Sequence, residues 1–220
     1  MNNVTVSAMT PPPNPHAAEA AAVADQIFDK EWRKICIVEP LDISSASGMI
    51  YAHYLHKRPA IVSCCLGMYR GITAVGVIVF SEPPKEINKR YGGKTLELSR
   101  LWIDDDIPKN AETWFIGKAV KYIKNNFKDI MYLVSYADPS AGHQGTIYKA
   151  ANWIFDGMTD EGRKTPRCDY RNVITGKKYS RKSHVPGDVK IERVPRVSKY
   201  RYKLQIRKYE SPIEPASGRI

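Results

Sequence analysis

Four groups of residues in this sequence have types and spacings that could do chemistry. The first is Tyr136-Ala137-Asp138-Pro139-Ser140-Ala141-Gly142-His143-Gln144-Gly145, which follows an apolar stretch. Asp138 can act as a base or a ligand, His143 lies five residues on, and Gly142 and Gly145 let the backbone come close to another group. The same Asp, Ser and Gly would also serve a plain helix-capping turn. The second is His53-Tyr54-Leu55-His56. On a helix, histidines three apart share a face and can begin a metal site that a carboxylate completes, or they can simply be solvated. The third is Thr95–Ile103, TLELSRLWI. In a covered central strand Glu97 and Arg100 are out of place, because burying an unpaired charge is very costly. They lie at an exposed end, form a buried ion pair, or face a polar cleft in which Arg100 orients an anion or a carbonyl. The fourth is the basic run Gly176–His184, whose Lys177, Lys178, Arg181 and Lys182 suit phosphate contacts or a solvated loop.

Positioning these groups calls for alternating strands and helices. A helical piece is expected over Glu19–Lys30, a strand over Trp32–Val38, and a helix over Ser44–Lys57 with Ser44 or Ser45 as cap. Ala60–Tyr69 and Thr73–Phe80 read as strands of a hairpin turning at Arg70-Gly71-Ile72. Lys85–Lys94 reads as a basic loop, and Thr95–Ile103 as a further strand that Asp104-Asp105-Asp106 breaks. Asn110 then caps a helix to about Phe127 with an apolar stripe through Trp114, Phe115, Ala119, Ile123 and Phe127. Ile130–Ala137 is a strand buried on both faces, Gly145–Trp153 a short helix, and Val189–Val194 with Lys199–Ile206 a C-terminal hairpin. The order gives an α/β (α+β) fold with a mixed, mostly antiparallel central sheet and helices on both faces. We expect a disordered leader over residues 1–18, one domain over 19–208 with a basic hairpin region from about 161, and a flexible tail over 209–220.

Composition narrows the function classes. No apolar run approaches the ~20 residues of a membrane span, and no signal peptide is evident, so a cytoplasmic protein without membrane contact is expected. The four cysteines form no CxxC pair, and Cys64-Cys65 in an apolar run reads as buried, reduced thiols. The net charge of +11 is localised: residues 1–160 hold 17 Lys and Arg against 17 Asp and Glu, and residues 161–220 hold the other 17 basic residues with 6 acidic ones. Tyr170, Tyr179, Tyr200 and Tyr202 are interleaved with those cations, a combination that grips phosphates and stacks bases, so a nucleic acid is the first candidate partner, against a basic surface that serves solubility.

From about Ile50 to Gly157 the chain resembles the Mom family, bacteriophage proteins similar to the GNAT acyltransferases. The resemblance is carried by His53-Tyr54, by Glu97-Leu98-Ser99-Arg100-Leu101-Trp102, and by the block from Tyr136 through Asp138, Gly142-His143, Gly145 and Ile147-Tyr148 to Asn152-Trp153. It implies a GNAT-like acyltransferase fold. It also implies double-stranded DNA as the partner and conversion of the exocyclic amine of adenine to a carbamoylmethyl-amine, protecting phage DNA from host restriction. On this resemblance Asp138, Tyr54, Arg100 and Tyr148 are the catalytic candidates, and His53, Tyr54 and Asp138 match a proposed iron-binding set. Tyr148 stands where GNATs often keep a tyrosine that protonates the leaving thiolate, with Asn152-Trp153 replacing the Gly-Phe that follows there. The GNAT turn that holds a cofactor pyrophosphate on a helix N-terminus is replaced by Asp104-Asp105-Asp106 ahead of Asn110, Ala111 and Thr113, the positions that would face a cofactor. Three carboxylates repel a pyrophosphate, so acyl-CoA of the usual kind is disfavoured and the group donor is left open. The alternative is an acyl-CoA-dependent N-acyltransferase acting on a protein or small-molecule amine. If the DNA reading holds, His53, Tyr54, Arg100 and Asp138 converge on one cavity although they are far apart in sequence.

Overall fold

The structure, a computed structural model, describes residues 15–165, 167–179 and 187–208. The long helix α1 (Pro15–Ile35) leads into β1 (Cys36–Pro40). It runs further than expected, because Phe28 and Trp32, four apart, both reach the core, and Trp32 packs edge-on against Trp114 at 5.2 Å. The expected helix over 44–57 is reduced to α2 (Ser47–Ala52). His53 is already extended (φ −60°, ψ 143°), and His56 takes a left-handed φ of 46° with its Nδ1 2.8 Å from the Tyr51 carbonyl oxygen. The two histidines therefore share no helix face. The hairpin appears as read, with β2 (Val62–Arg70) and β3 (Thr73–Ser81) turning at Gly71, φ 61°.

The segment taken for a basic loop is the helix α3 (Lys85–Tyr91), with Glu86 in its first turn, Lys89 and Arg90 in its last, and Gly92 as left-handed stop at φ 66°. The glycine that suggested a loop is its C-terminal signal. Next come β4 (Thr95–Ile103), α4 (Ala111–Asn126), β5 (Tyr132–Ala137), a 3-10 turn at residues 139–141, and α5 (Thr146–Ala150). The strand β6 (Ile154–Met158) takes up residues that follow a shorter helix than expected.

The main sheet has the order β1-β2-β3-β4-β5-β10-β6, antiparallel except for the parallel β4–β5 pair. Here β10 is Tyr200–Gln205. The expected C-terminal hairpin does not form. Instead β10 fills the place between β5 and β6, satisfying backbone groups on the far edge of buried β5. The other half of that hairpin, β9 (Ile191–Pro195), joins β7 (Cys168–Asn172) and β8 (Lys178–Tyr179) in a separate three-stranded sheet of order β8-β7-β9.

One face of the main sheet packs under α1, α4 and α5 through Phe28, Trp32, Phe115, Ile116, Ala119, Ile123, Leu133 and Tyr148. The other carries α2 over Cys65, Val77 and Val79, and α3 reaches the same face through Tyr91, whose ring lies 5.2 Å from that of Tyr132. Cys64 and Cys65 are buried free thiols, and burial pushes the first up to about 12 and the second to about 11. Among the described residues no helix is long and apolar enough to cross a membrane.

Candidate active site

The parallel strands β4 and β5 pair only from Thr95 with Tyr132 to Leu98 with Ser135, then separate. The Ser135 hydroxyl closes the apex of that gap, 2.7 Å from the Leu98 carbonyl oxygen and 2.8 Å from the Tyr148 hydroxyl. A second irregularity sits at the same level. Val79 pairs with Arg100 but Phe80 pairs with Leu98, which leaves Ser99 as an extra residue in β4. A bulge of this kind reverses the in-and-out alternation of a strand. Glu97 and Arg100, three apart, would point to opposite faces of a regular strand; here they share the α2 face.

The gap opens into a cavity of about 560 Å³. Its wall includes His53, Tyr54, Glu97, Arg100, Tyr136, His143, Tyr148 and Lys199. Arg100 is anchored through Nε to the Lys57 carbonyl (2.9 Å) and through Nη1 to the Ser99 carbonyl, with no salt bridge to Glu97. Its Nη2 has no protein partner among the described residues. Tyr54 lies between two imidazoles, 4.4 Å from the His53 ring and 4.8 Å from that of His143.

Burial sets the charge states. It pushes the Glu97 carboxyl up to about 7, against the opposing pull of Arg100 and Lys199. It lowers His53 to about 4, helped by the charge on Arg100, so this imidazole is neutral near pH 7. Tyr148 is raised to about 12, chiefly by burial, and keeps its proton. Glu97 makes no hydrogen bond or salt bridge within the described residues, which leaves its carboxyl turned to the cavity without a protein partner.

Asp138 is placed differently. It is not part of the cavity wall. One oxygen accepts from the Ser140 backbone N–H (3.0 Å) and hydroxyl (2.6 Å), and the other is 2.9 Å from Lys199 Nζ. Burial works against its charge, but the Ser140 hydroxyl and Lys199 outweigh it and hold the carboxyl below the usual range. The Lys199 ammonium against the second Asp138 oxygen already neutralises this carboxylate and works against a cation shared with His53 and Tyr54. His53 Nδ1 also accepts from the Leu55 N–H at 3.2 Å. The trio therefore does not fit a metal ion as it stands, and among the described residues no cluster of three His, Cys, Asp or Glu could hold one.

The structure thus brings His53, Tyr54, Arg100 and Tyr148 to one cavity and leaves Asp138 beside it. Asn110 occupies the position before α4 in a left-handed conformation (φ 71°) without capping the helix through its side chain. Ala111 is buried against the core, and Asp105 and Glu112 border the cavity at that end. Sequence reasoning flagged Glu97 only as an anomaly. It named Tyr136 only as the start of the Asp138 block and passed over Lys199, for which no local pattern gives a signal. Of the proposed DNA contacts, Lys177 is exposed on the small sheet with Nζ 5.3 Å from the Tyr179 ring. The Lys178 side chain, Arg181 and Lys182 lie outside the described residues.

Residues 36–211 match the Mom protein family, most of the chain and the whole of the cavity wall. The chain belongs to the Mom protein family. One curated relative, the methylcarbamoylase mom of Escherichia phage Mu, is 31% identical over 101 residues. That match covers 42% of this chain and 41% of the relative, so the two align over less than half of either length. Similar solved structures include a Bacillus subtilis acetyltransferase in complex with CoA (11% identity, 77% of this chain and 97% of that one, TM-score 0.47). Another is a GNAT family acetyltransferase from Elizabethkingia anophelis with acetyl-CoA bound (10% identity, 78% and 98%, TM-score 0.47). The main sheet of this Mom-family chain, antiparallel except for the β4–β5 pair that parts at the cavity, is the mixed, mostly antiparallel central sheet expected from its sequence.

Proposed function

We propose that this Mom-family chain modifies DNA by placing a carbamoylmethyl group on the exocyclic amine of adenine, shielding phage DNA from host restriction. The observation that carries the reading is the shared face of Glu97 and Arg100, set by the Ser99 bulge, on the wall of a cavity large enough for a base. The adenine amine is paired inside a duplex, so the base is extruded to reach the cavity. Tyr54, flanked by His53 and His143, offers the aromatic surface on which it stacks. The bond formed joins the amine nitrogen to the methylene of the incoming group, and the bond broken joins that methylene to its leaving atom. Glu97, ionised above about pH 7, takes the amine proton. The free Nη2 of Arg100 orients the carbonyl of the incoming group, and the neutral Tyr148 hydroxyl returns a proton to the leaving atom. Asp138 acts as a positioning residue that holds Lys199 and the 138–145 turn.

For the donor, a CoA-linked group is the class to test first, because CoA and acetyl-CoA are what the two solved acetyltransferases hold. Asp105 and Glu112 set the electrostatic cost its pyrophosphate would meet. The experiment is mass spectrometry of nucleosides from the DNA of cells expressing the chain. A carbamoylmethylated deoxyadenosine is expected with the parent and is lost in Glu97→Gln, while unmodified adenine in cells holding the folded parent refutes the reading.

A further inference from the structure

The small sheet β8-β7-β9 stands apart from the main core, and the end of its β7–β8 hairpin is built in an unusual way. Its tip, Asn172 to Lys177, presents two apolar β-branched side chains to solvent, Val173 at 49% and Ile174 at 85% exposure. The turn is stiff. Asn172 Oδ1 accepts from the N–H groups of Ile174 (2.8 Å) and Thr175 (2.9 Å), the Gly176 N–H donates to the Asn172 carbonyl (2.9 Å), and Gly176 takes φ 70°. Val173 N–H donates to the Lys190 carbonyl (3.0 Å), tying the tip to the segment before β9. Two exposed cations flank the tip, Lys177 at its end and Lys190, whose carbonyl holds Val173, while Arg171 is ion-paired with Glu192. Ile72 is also exposed, but alone on a hairpin turn whose Arg70 is committed to Asp25, the scattered kind of exposure that carries no meaning.

We infer that Val173 and Ile174 form an apolar wedge that enters duplex DNA beside the target base and holds the stack open while the base occupies the cavity. The inference rests on the DNA-modification reading above. Apolar side chains on a rigid element, flanked by cations such as Lys177 and Lys190 that take neighbouring phosphates, are the equipment with which proteins part base steps. The positive charge concentrated in residues 161–220 favours a polyanion over a protein at this tip. The small sheet also leaves the main sheet at β6 and returns to it at β10, beside Lys199 in the cavity wall.

The test uses the full chain and duplexes carrying 2-aminopurine, whose fluorescence rises on unstacking. The parent binds the duplex and raises the signal. Val173→Ser with Ile174→Ser, made at exposed positions, binds duplex within about threefold of the parent and binds single strands equally, but loses most of the fluorescence rise. In cells its modified adenine falls at least tenfold. A double variant that opens the duplex as the parent does overturns the wedge, as does loss of binding to both single and double strands, which marks a mere docking surface. So does a changed oligomeric state with normal opening, which assigns the tip to a second copy. A parent that binds no DNA removes the functional reading itself.

Discussion

Glu97 is the residue at which stability and chemistry pull in opposite directions. Its carboxyl is held up to about 7 by burial and has no protein partner among the described residues. A carboxyl raised above its unfolded value contributes stability that is complete below pH 4.5 and is lost as pH rises through about 7. Glu97→Gln should therefore be more stable than the parent at pH 8, by roughly 1–3 kcal/mol, and the difference should vanish near pH 4.5; thermal melts across that range check it. Modification by the parent should rise with pH through about 7, since only the ionised form accepts a proton. A flat profile between pH 6 and 8 would remove Glu97 as the base. The charge of this residue was conspicuous in the sequence, but the face it shares with Arg100 without pairing to it was not. Three residues apart in a strand means opposite faces, and only the bulge at Ser99, invisible in composition or periodicity, reverses that. Asn152 shows the opposite case. It sits at φ 62°, a left-handed conformation that asparagine tolerates better than most other side chains do, so its residue type alone signals the turn that follows α5.

The elements that frame the cavity were largely readable where one face is apolar and a cap or turn residue marks each end. β2, β3, β4, α4 and β5 emerged close to their expected bounds. What escaped were elements defined by partners distant in sequence. β10 alternates well enough to be a strand, yet nothing local says that it inserts beside β5 rather than pairing with β9. Its consequence is felt at Gly145, where a Cβ would lie 2.1 Å from the ring of buried Tyr202, whose hydroxyl donates to the Gln144 carbonyl, and where φ is 76°. Gly145→Ala should cost about 2–4 kcal/mol from strain and overpacking combined, read as a lowered melting temperature. Asp105, ahead of α4, and Glu112, in its first turn, border the cavity at the helix end whose N–H groups would otherwise suit a pyrophosphate. Asp105→Asn with Glu112→Gln should tighten CoA binding several-fold over the parent in calorimetric titrations. Equal affinities would show that the acidic turn does not govern the donor.

Across the whole molecule the charge is divided as the sequence divides it: neutral over residues 1–160 and strongly positive beyond. Replacing Lys177, Lys178, Arg181 and Lys182 by Ala should weaken duplex binding at all sequences and flatten its salt dependence by about 0.9 log unit for every phosphate that is no longer neutralised. An unchanged slope would assign these cations to solvent. The division also has a seam. Met158, the last residue of β6, faces Tyr200, the first of β10, and Thr159 and Lys199 clasp across the base through two hydrogen bonds of 3.0 Å. The chain between them leaves the sheet and comes back to the same place, and the cost of closing such an excursion grows only slowly with its length. A segment tethered in this way can be lengthened, shortened or traded between relatives by recombination at its two feet. Preference for a DNA context would then be inherited separately from the chemistry of the cavity.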